Sequence, residues 1–226
     1  MIPVLRPEQA PAGFDENVRI PGLEWLESTH KRGSNRRPPD YWRRCEPELR
    51  RVFAERCGWS AVFITSGQVE HFVSQSRCLA EGGDPSLIYD WDNYRYIMPE
   101  LNSSKSKVDG LLDPYEVKAN WFHLVLPSLR IEATDAIPEE FRARAHETLL
   151  RLKLAKHPKV KRLRELWLTM YQRAELTLTG LRRFDPMLAD ALARLFAADP
   201  QELSEVELGF RDALTQARAR AGVTTP

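Results

Sequence analysis

Between Gly67 and Lys105 the chain gathers the residue types that phosphodiester hydrolysis needs. Glu70 and His71 stand side by side in Gly67-Gln68-Val69-Glu70-His71-Phe72; beyond the turn-rich Gly82-Gly83-Asp84-Pro85 come Tyr89-Asp90-Trp91-Asp92-Asn93-Tyr94-Arg95 and Leu101-Asn102-Ser103-Ser104-Lys105. Such a reaction takes a nucleophilic water, a base to deprotonate it, and positive charge where the leaving oxygen develops its own charge. A neutral imidazole suits the base role near neutral pH, and one divalent ion can act as the Lewis acid. An ion such as Mg²⁺ or Mn²⁺ prefers oxygen ligands and keeps several waters, so two side-chain ligands suffice. His71 is the natural base, and Glu70 and Asn102 offer a carboxylate and an amide oxygen. Adjacent side chains on a strand point to opposite faces, so Glu70 and His71 can share a site only where the strand bends or ends. The turn at Gly67 and the loop after Phe72 supply such a place.

The elements that must position these groups follow from periodicity. Ala61-Val62-Phe63-Ile64-Thr65 is β-branched and aromatic, Ser66-Gly67 is turn chemistry, and Val69–Phe72 is apolar again, which predicts a hairpin. Residues 87–98 read as loop or short extended structure. Pro99 suits the first position of a helix, so the next helix runs from there to about Lys105. Upstream, residues 1–22 are rich in Pro and Gly and predict an extended arm, followed by a basic, breaker-rich loop over 30–39 that carries Arg32, Arg36 and Arg37. A helix starts near Asp40, with Pro47 threatening to kink or split it and with Arg43, Arg44, Arg50 and Arg51 on its polar face. Downstream, residues 120–133 predict a second hairpin bent at Pro127-Ser128. From Pro138 the pattern is helical to the end, including one helix across Leu181–Leu195.

The central residues resemble the HNH, or ββα-metal, endonucleases. That family places an Asp-His pair on a hairpin, a central Asn, and a His or Asn on the helix, often with Lys three residues later. Here the corresponding residues are Glu70-His71, Asn93 and Asn102-x-x-Lys105. The resemblance implies that His71 is the general base, that Asn93 orients it through the backbone and braces the loop, that Glu70 and Asn102 hold the ion, and that Lys105 approaches a phosphate as a point charge. Arg95, in the segment leading to the helix, is expected to line the same site. Two departures stand out. Glu70 occupies a position where Asp is commoner, moving the carboxylate by roughly 1.5 Å. The paired Cys-x-x-Cys motifs that hold zinc in many members are missing, so Trp59, Met98 and Leu101 are expected to brace the unit without a structural zinc.

The expected architecture is α+β: a ββα-metal unit at 56–115, preceded by an N-terminal arm and helix at 1–55 and followed by a hairpin and helical region at 116–226, packed as one domain. The resemblance implies a metal-dependent endonuclease acting on DNA, with RNA as an alternative substrate. The wider context Tyr89–Arg95 with Leu112-Asp113-Pro114 is similar to a bacterial subgroup linked to phage defence, which implies an ATPase subunit as partner. The alternative is a degenerate scaffold that binds nucleic acid or a partner protein without cutting.

Bulk properties bound these readings. With 42% hydrophobic and 29% charged residues, wholesale disorder is excluded, and a formal net charge of only +1 means that nucleic-acid binding must rest on local basic clusters. One such cluster is Lys153, Lys156, Lys159, Lys161, Arg162 and Arg164. Three widely spaced cysteines suggest free thiols and a cytoplasmic protein rather than a disulfide framework. No stretch reaches the length of a membrane-spanning helix, so no membrane partner is expected. The absence of a Gly-rich phosphate loop argues against a self-contained nucleotide hydrolase.

Overall fold

The computed structural model describes residues 1–31, 36–105 and 108–223; Arg32 of the expected basic loop lies outside them. The chain is a mixed helix-and-sheet protein with two small antiparallel sheets. Strand β1 (Gln68–His71) pairs with β2 (Tyr94–Ile97) in the register Gln68↔Ile97, Val69↔Tyr96, Glu70↔Arg95 and His71↔Tyr94. Strands β3 (Phe122–Val125) and β4 (Arg130–Ala133) form the second hairpin about Pro127-Ser128. Of helices α1 (Ile20–Lys31), α2 (Glu46–Val52), α3 (Gln75–Cys78) and α4 (Pro99–Lys105), α2 packs on both strands of the first sheet and α4 against β1, while α1 and α3 pack on a 3₁₀ turn at Pro85–Tyr89. Helices α5 (Glu139–Arg151), α6 (Pro158–Gln172), α7 (Leu178–Phe184), α8 (Pro186–Ala197) and α9 (Glu205–Arg220) complete the chain, with α8 packed on β3 and α7. One apolar cluster runs through both parts, from Phe14 through Trp59 and Leu101 to Leu188 and Leu214.

The structure corrects several expected boundaries. Residues 61–65 do not form the strand opposite β1. Ala61 adopts φ +61°, which breaks an extended run, and only an isolated bridge joins Phe63 to Arg56. The true partner is Tyr94-Arg95-Tyr96-Ile97, whose four residues are buried on both faces. The expected arm is extended only in its first part, because Asp15–Arg19 coils into a π-turn that enters α1. Phe14 anchors this entry at 5.7 Å from the Trp91 ring and 6.0 Å from Tyr94. Gly22, which reads as a breaker, is a contact point: a Cβ there would fall 2.2 Å from the Tyr89 ring.

The helix expected near Asp40 is split into a 3₁₀ turn (Tyr41–Cys45) and α2, with Pro47 in the first turn of α2, where its missing N–H costs nothing. The helix expected across Leu181–Leu195 is likewise cut by Pro186. Asp185 caps α8 by accepting from the Leu188 N–H at 3.1 Å. The α4 boundaries fall at Pro99 and Lys105.

Arg164, expected in an exposed basic cluster, is instead 1% exposed and joins three parts of the molecule. Its Nε donates to Asp185 Oδ2 at 2.8 Å and one terminal nitrogen donates to the Ser60 carbonyl at 3.0 Å, while the other faces the Leu129 carbonyl at 3.5 Å. Removing one partner of such a pair strands a charge in the core. Asp185→Ala is therefore expected to cost on the order of 3–5 kcal/mol, read as a fall in thermal midpoint of roughly 10 °C. A neutral effect in a denaturation experiment would overturn this account.

Candidate active site

The geometry starts from β1, which has one strand neighbour among the described residues and leaves its other edge open. Along that edge lies a cavity of about 680 Å³. Its wall takes Gln68, Glu70 and His71 from β1, Asn102 from α4, Gln75 from α3, and Trp42, Arg43, Glu46 and Arg50 from the 3₁₀ turn and α2. Glu70 and His71 reach the same cavity from opposite faces because the cavity wraps the strand edge and the strand stops at His71. Gly67 lets the chain enter β1 so close to Tyr96 that a Cβ there would lie 2.4 Å from the ring.

His71 is buried between aromatic edges. The Trp42 ring lies 4.7 Å away at 87° and the Tyr94 ring 5.2 Å away at 83°. Its Nε2 lies 2.9 Å from the Ile88 carbonyl. A carbonyl only accepts, so Nε2 carries the proton and Nδ1 keeps its lone pair. That lone pair faces the Gln75 amide nitrogen at a long 3.3 Å. Burial is the largest influence on the ring and pushes its pKa down to about 4, so it stays neutral across the physiological range.

No hydrogen bond joins the Asn93 side chain to the His71 ring, which is held directly by the Ile88 carbonyl. Asn93 ties the loop instead. Its Oδ1 accepts from the Val73 N–H at 2.7 Å, its Nδ2 donates to the Val73 and Leu87 carbonyls at 3.1 and 2.9 Å, and its own carbonyl accepts from Phe72 N–H at 2.8 Å.

Glu70 is buried, and Lys105 Nζ donates to its Oε1 at 2.6 Å. Burial raises the Glu70 carboxyl above its ordinary pKa, while the Lys105 ammonium works against that rise. The other oxygen, Oε2, has no hydrogen-bond partner among the described residues. Asn102 donates through Nδ2 to Gln68 Oε1 at 2.9 Å, which leaves its Oδ1 uncommitted. This donor set is of the kind a hard divalent ion takes, since a carboxylate residue and an amide residue, each with one oxygen free of hydrogen bonds among the described residues, line one cavity. The described residues contain no group of three or more His, Cys, Asp or Glu able to hold a metal. An ion here would therefore rest on few protein ligands and keep water for the remainder.

Two expected phosphate contacts are corrected. Lys105 is wholly buried against Glu70. Arg95 is 1% exposed and forms a bidentate pair with Asp113, Nε to Oδ1 at 2.6 Å and a terminal nitrogen to Oδ2. Its remaining nitrogen donates to the Asp92 and Tyr94 carbonyls at 2.7 Å each, and its guanidinium stacks 4.1 Å from the Tyr115 centroid. Four of its five N–H donors are committed inside the protein, and at this burial the side chain is held away from a substrate. The basic groups on the cavity are Arg37, Arg43 and Arg50. Gln68, Gln75 and Trp42 also line the cavity, beyond the expected site residues. Gln68 had a signal, sitting two positions before Glu70 on the same strand face; Gln75 and Trp42 had none. Trp59, Met98 and Leu101 are all buried, with Trp59 Nε1 donating to the Leu112 carbonyl at 3.0 Å. The cysteines are free and buried, and burial pushes the thiols of Cys45 and Cys78 up to about 12 and about 11, far from nucleophilic use.

The buried imidazole gives a pH prediction. Its pKa is lower folded than the ordinary 6.5, so the unfolded chain binds the proton first as pH falls. Stability should be flat above about pH 6.5, drop by on the order of 3 kcal/mol toward pH 4, and level off below. In His71→Gln that part of the slope should vanish in urea titrations run at successive pH values. An unchanged slope would show that another group is responsible. No family model, curated protein or solved structure matches the chain, so the chemistry of the site rests on its own residues.

Proposed function

We propose that the groove along β1 is the cleavage site of a metal-dependent endonuclease acting on DNA, with RNA the alternative substrate. The observation that carries this reading is the shared cavity: the residues lining it include a carboxylate, a neutral imidazole whose lone pair meets only a long contact to Gln75, and an amide whose oxygen has no hydrogen-bond partner among the described residues. The order and spacing of Glu70-His71, Asn93 and Asn102-x-x-Lys105, similar to HNH endonucleases, support it further. So does the succession of β1, β2 and α4.

His71 would take the proton of the attacking water on Nδ1, once that water displaces the long contact to Gln75. The Nε2–H bond to Ile88 holds the ring plane and stabilises the imidazolium that forms. Asn93 keeps the loop carrying Ile88 closed on the end of β1. Glu70 and Asn102 would hold the divalent ion, which when bound acidifies water and offsets charge on the phosphate. That help matters because a group with a pKa near 4 is a weak base toward ordinary water.

Electrostatics favour the same arrangement. Arg37, Arg43 and Arg50 on the wall face Asp40 and Glu46, while the Glu70 charge is already paired with Lys105, so the wall keeps a small positive excess for a polyanion. Arg43 pairs with Asp40 at 2.8 Å but is largely exposed, and such a pair exchanges readily for phosphate.

The test is divalent-dependent nicking of supercoiled plasmid. His71→Ala should lower the rate by roughly 10²–10⁴-fold while DNA binding persists, and Arg43→Ala should weaken binding and reduce its salt slope by about 1. The second reading, a scaffold that binds without cutting, draws on the Lys105–Glu70 pair, which already satisfies one carboxylate oxygen. Absence of nicking by the unmodified protein in Mg²⁺, Mn²⁺ and Ni²⁺ would decide for the scaffold.

A further inference from the structure

Lys105 has an environment that a phosphate-seeking lysine would not have. Its ammonium is wholly buried and meets three oxygens: Glu70 Oε1 at 2.6 Å, the His71 carbonyl at 3.3 Å and the Phe72 carbonyl at 3.4 Å. A lysine ammonium has three donors, and here each has an acceptor. One carboxylate and two backbone carbonyls are also the ligand types that hard cations take from proteins. The end of β1 therefore builds a cation-binding corner, and the last residue of α4 fills it. The two carbonyls turn toward α4 because the strand stops at His71 and Phe72 N–H is drawn to the Asn93 carbonyl.

We infer that Lys105 is the resident counter-cation of Glu70, an internal competitor that sets how readily the groove accepts a divalent ion. The inference rests on the reading of Glu70 as an ion ligand. A divalent ion drawn to Glu70 Oε2 meets a unit positive charge already bonded to Oε1 of the same carboxylate, and in a partly buried site the two cations repel strongly. Tight loading then requires the Lys105 ammonium to leave the corner, which moves the end of α4. Lys105 is a positioning residue in this account: it fixes the Glu70 rotamer while the groove is empty and weakens its hold on the ion. Conversely, the ammonium keeps a buried carboxylate neutralised until an ion arrives, so the end of β1 stays ordered without metal.

The test is Mn²⁺ binding followed by the spectroscopic signal of free Mn²⁺, together with thermal melts with and without Mn²⁺, on the full chain and on Lys105→Met, Lys105→Arg and Glu70→Gln. Lys105→Met should bind Mn²⁺ at least about tenfold more tightly than the unmodified protein and gain more thermal stability from it. Lys105→Arg, which keeps the charge, should stay weak, and Glu70→Gln should lose binding. If Lys105→Met folds only in the presence of Mn²⁺, the ion has replaced the ammonium and the inference holds. If it fails to fold even with Mn²⁺, the lysine has a packing role and the inference is overturned. Equal affinities in the unmodified protein and Lys105→Met, both lost in Glu70→Gln, would refute the competition and leave Glu70 as a ligand. No Mn²⁺ binding by any variant would overturn both the competition and the nuclease reading.

Discussion

The antiparallel pairing of β1 with β2 is the constraint from which the rest of the site follows. Placing His71 opposite Tyr94 and Glu70 opposite Arg95 decides what each functional group meets. On one face the imidazole enters an aromatic pocket. On the other the carboxylate lies beside the Lys105 ammonium at the end of α4. A slip of one residue would exchange the two environments, putting an imidazole against an ammonium and a carboxylate against Trp42 and Tyr94. Asn93 protects that register, because it bonds across the loop to Val73 and Leu87 while its carbonyl extends the ladder to Phe72.

Around this small sheet the chain buries charge in pairs. Arg95 with Asp113, Lys105 with Glu70, and Arg164 with Asp185 are each nearly or fully sequestered. Desolvation consumes much of the attraction in such pairs, so their contribution is better sought in geometry than in net stability. Each guanidinium also binds backbone carbonyls: Arg95 fixes Asp92 and Tyr94, and Arg164 holds Ser60. Substituting apolar groups would leave those carbonyls without donors, even where the loss of the ions themselves was harmless.

Much of this arrangement was legible in the sequence, and the failures share a cause. Pro99 and Lys105 bound α4, and the Pro127-Ser128 bend fell between β3 and β4, because these signals are local. The position of Glu70, His71 and Asn102 on one cavity also follows from a strand end followed by a helix. The partner of β1 was misread because strand propensity in residues 61–65 is strong and close by. What excludes it is the left-handed backbone at Ala61, which the residue type does not announce. Arg95 and Lys105 were assigned to a substrate because sequence displays a charge without displaying its counter-ion. Their carboxylates lie 18 and 35 residues away along the chain. Pro and Gly misled in the same way at Ile20-Pro21-Gly22, where a helix start and a close ring contact use residues that usually end helices.

The junction at Arg164 bears on how this protein can be handled as material. The stretch holding β1, β2 and α4 exchanges hydrogen bonds with residues far downstream: Arg164 donates to the Ser60 carbonyl, and Phe63 N–H donates to the Phe184 carbonyl at 2.7 Å. Arg56 in turn reaches the Arg182 and Arg183 carbonyls at 3.3 and 3.2 Å. Excising residues 56–115 as a minimal cassette would cut these ties. Whatever chemistry the groove performs, it cannot be transplanted as a module, and engineers would have to carry the helical half along with it.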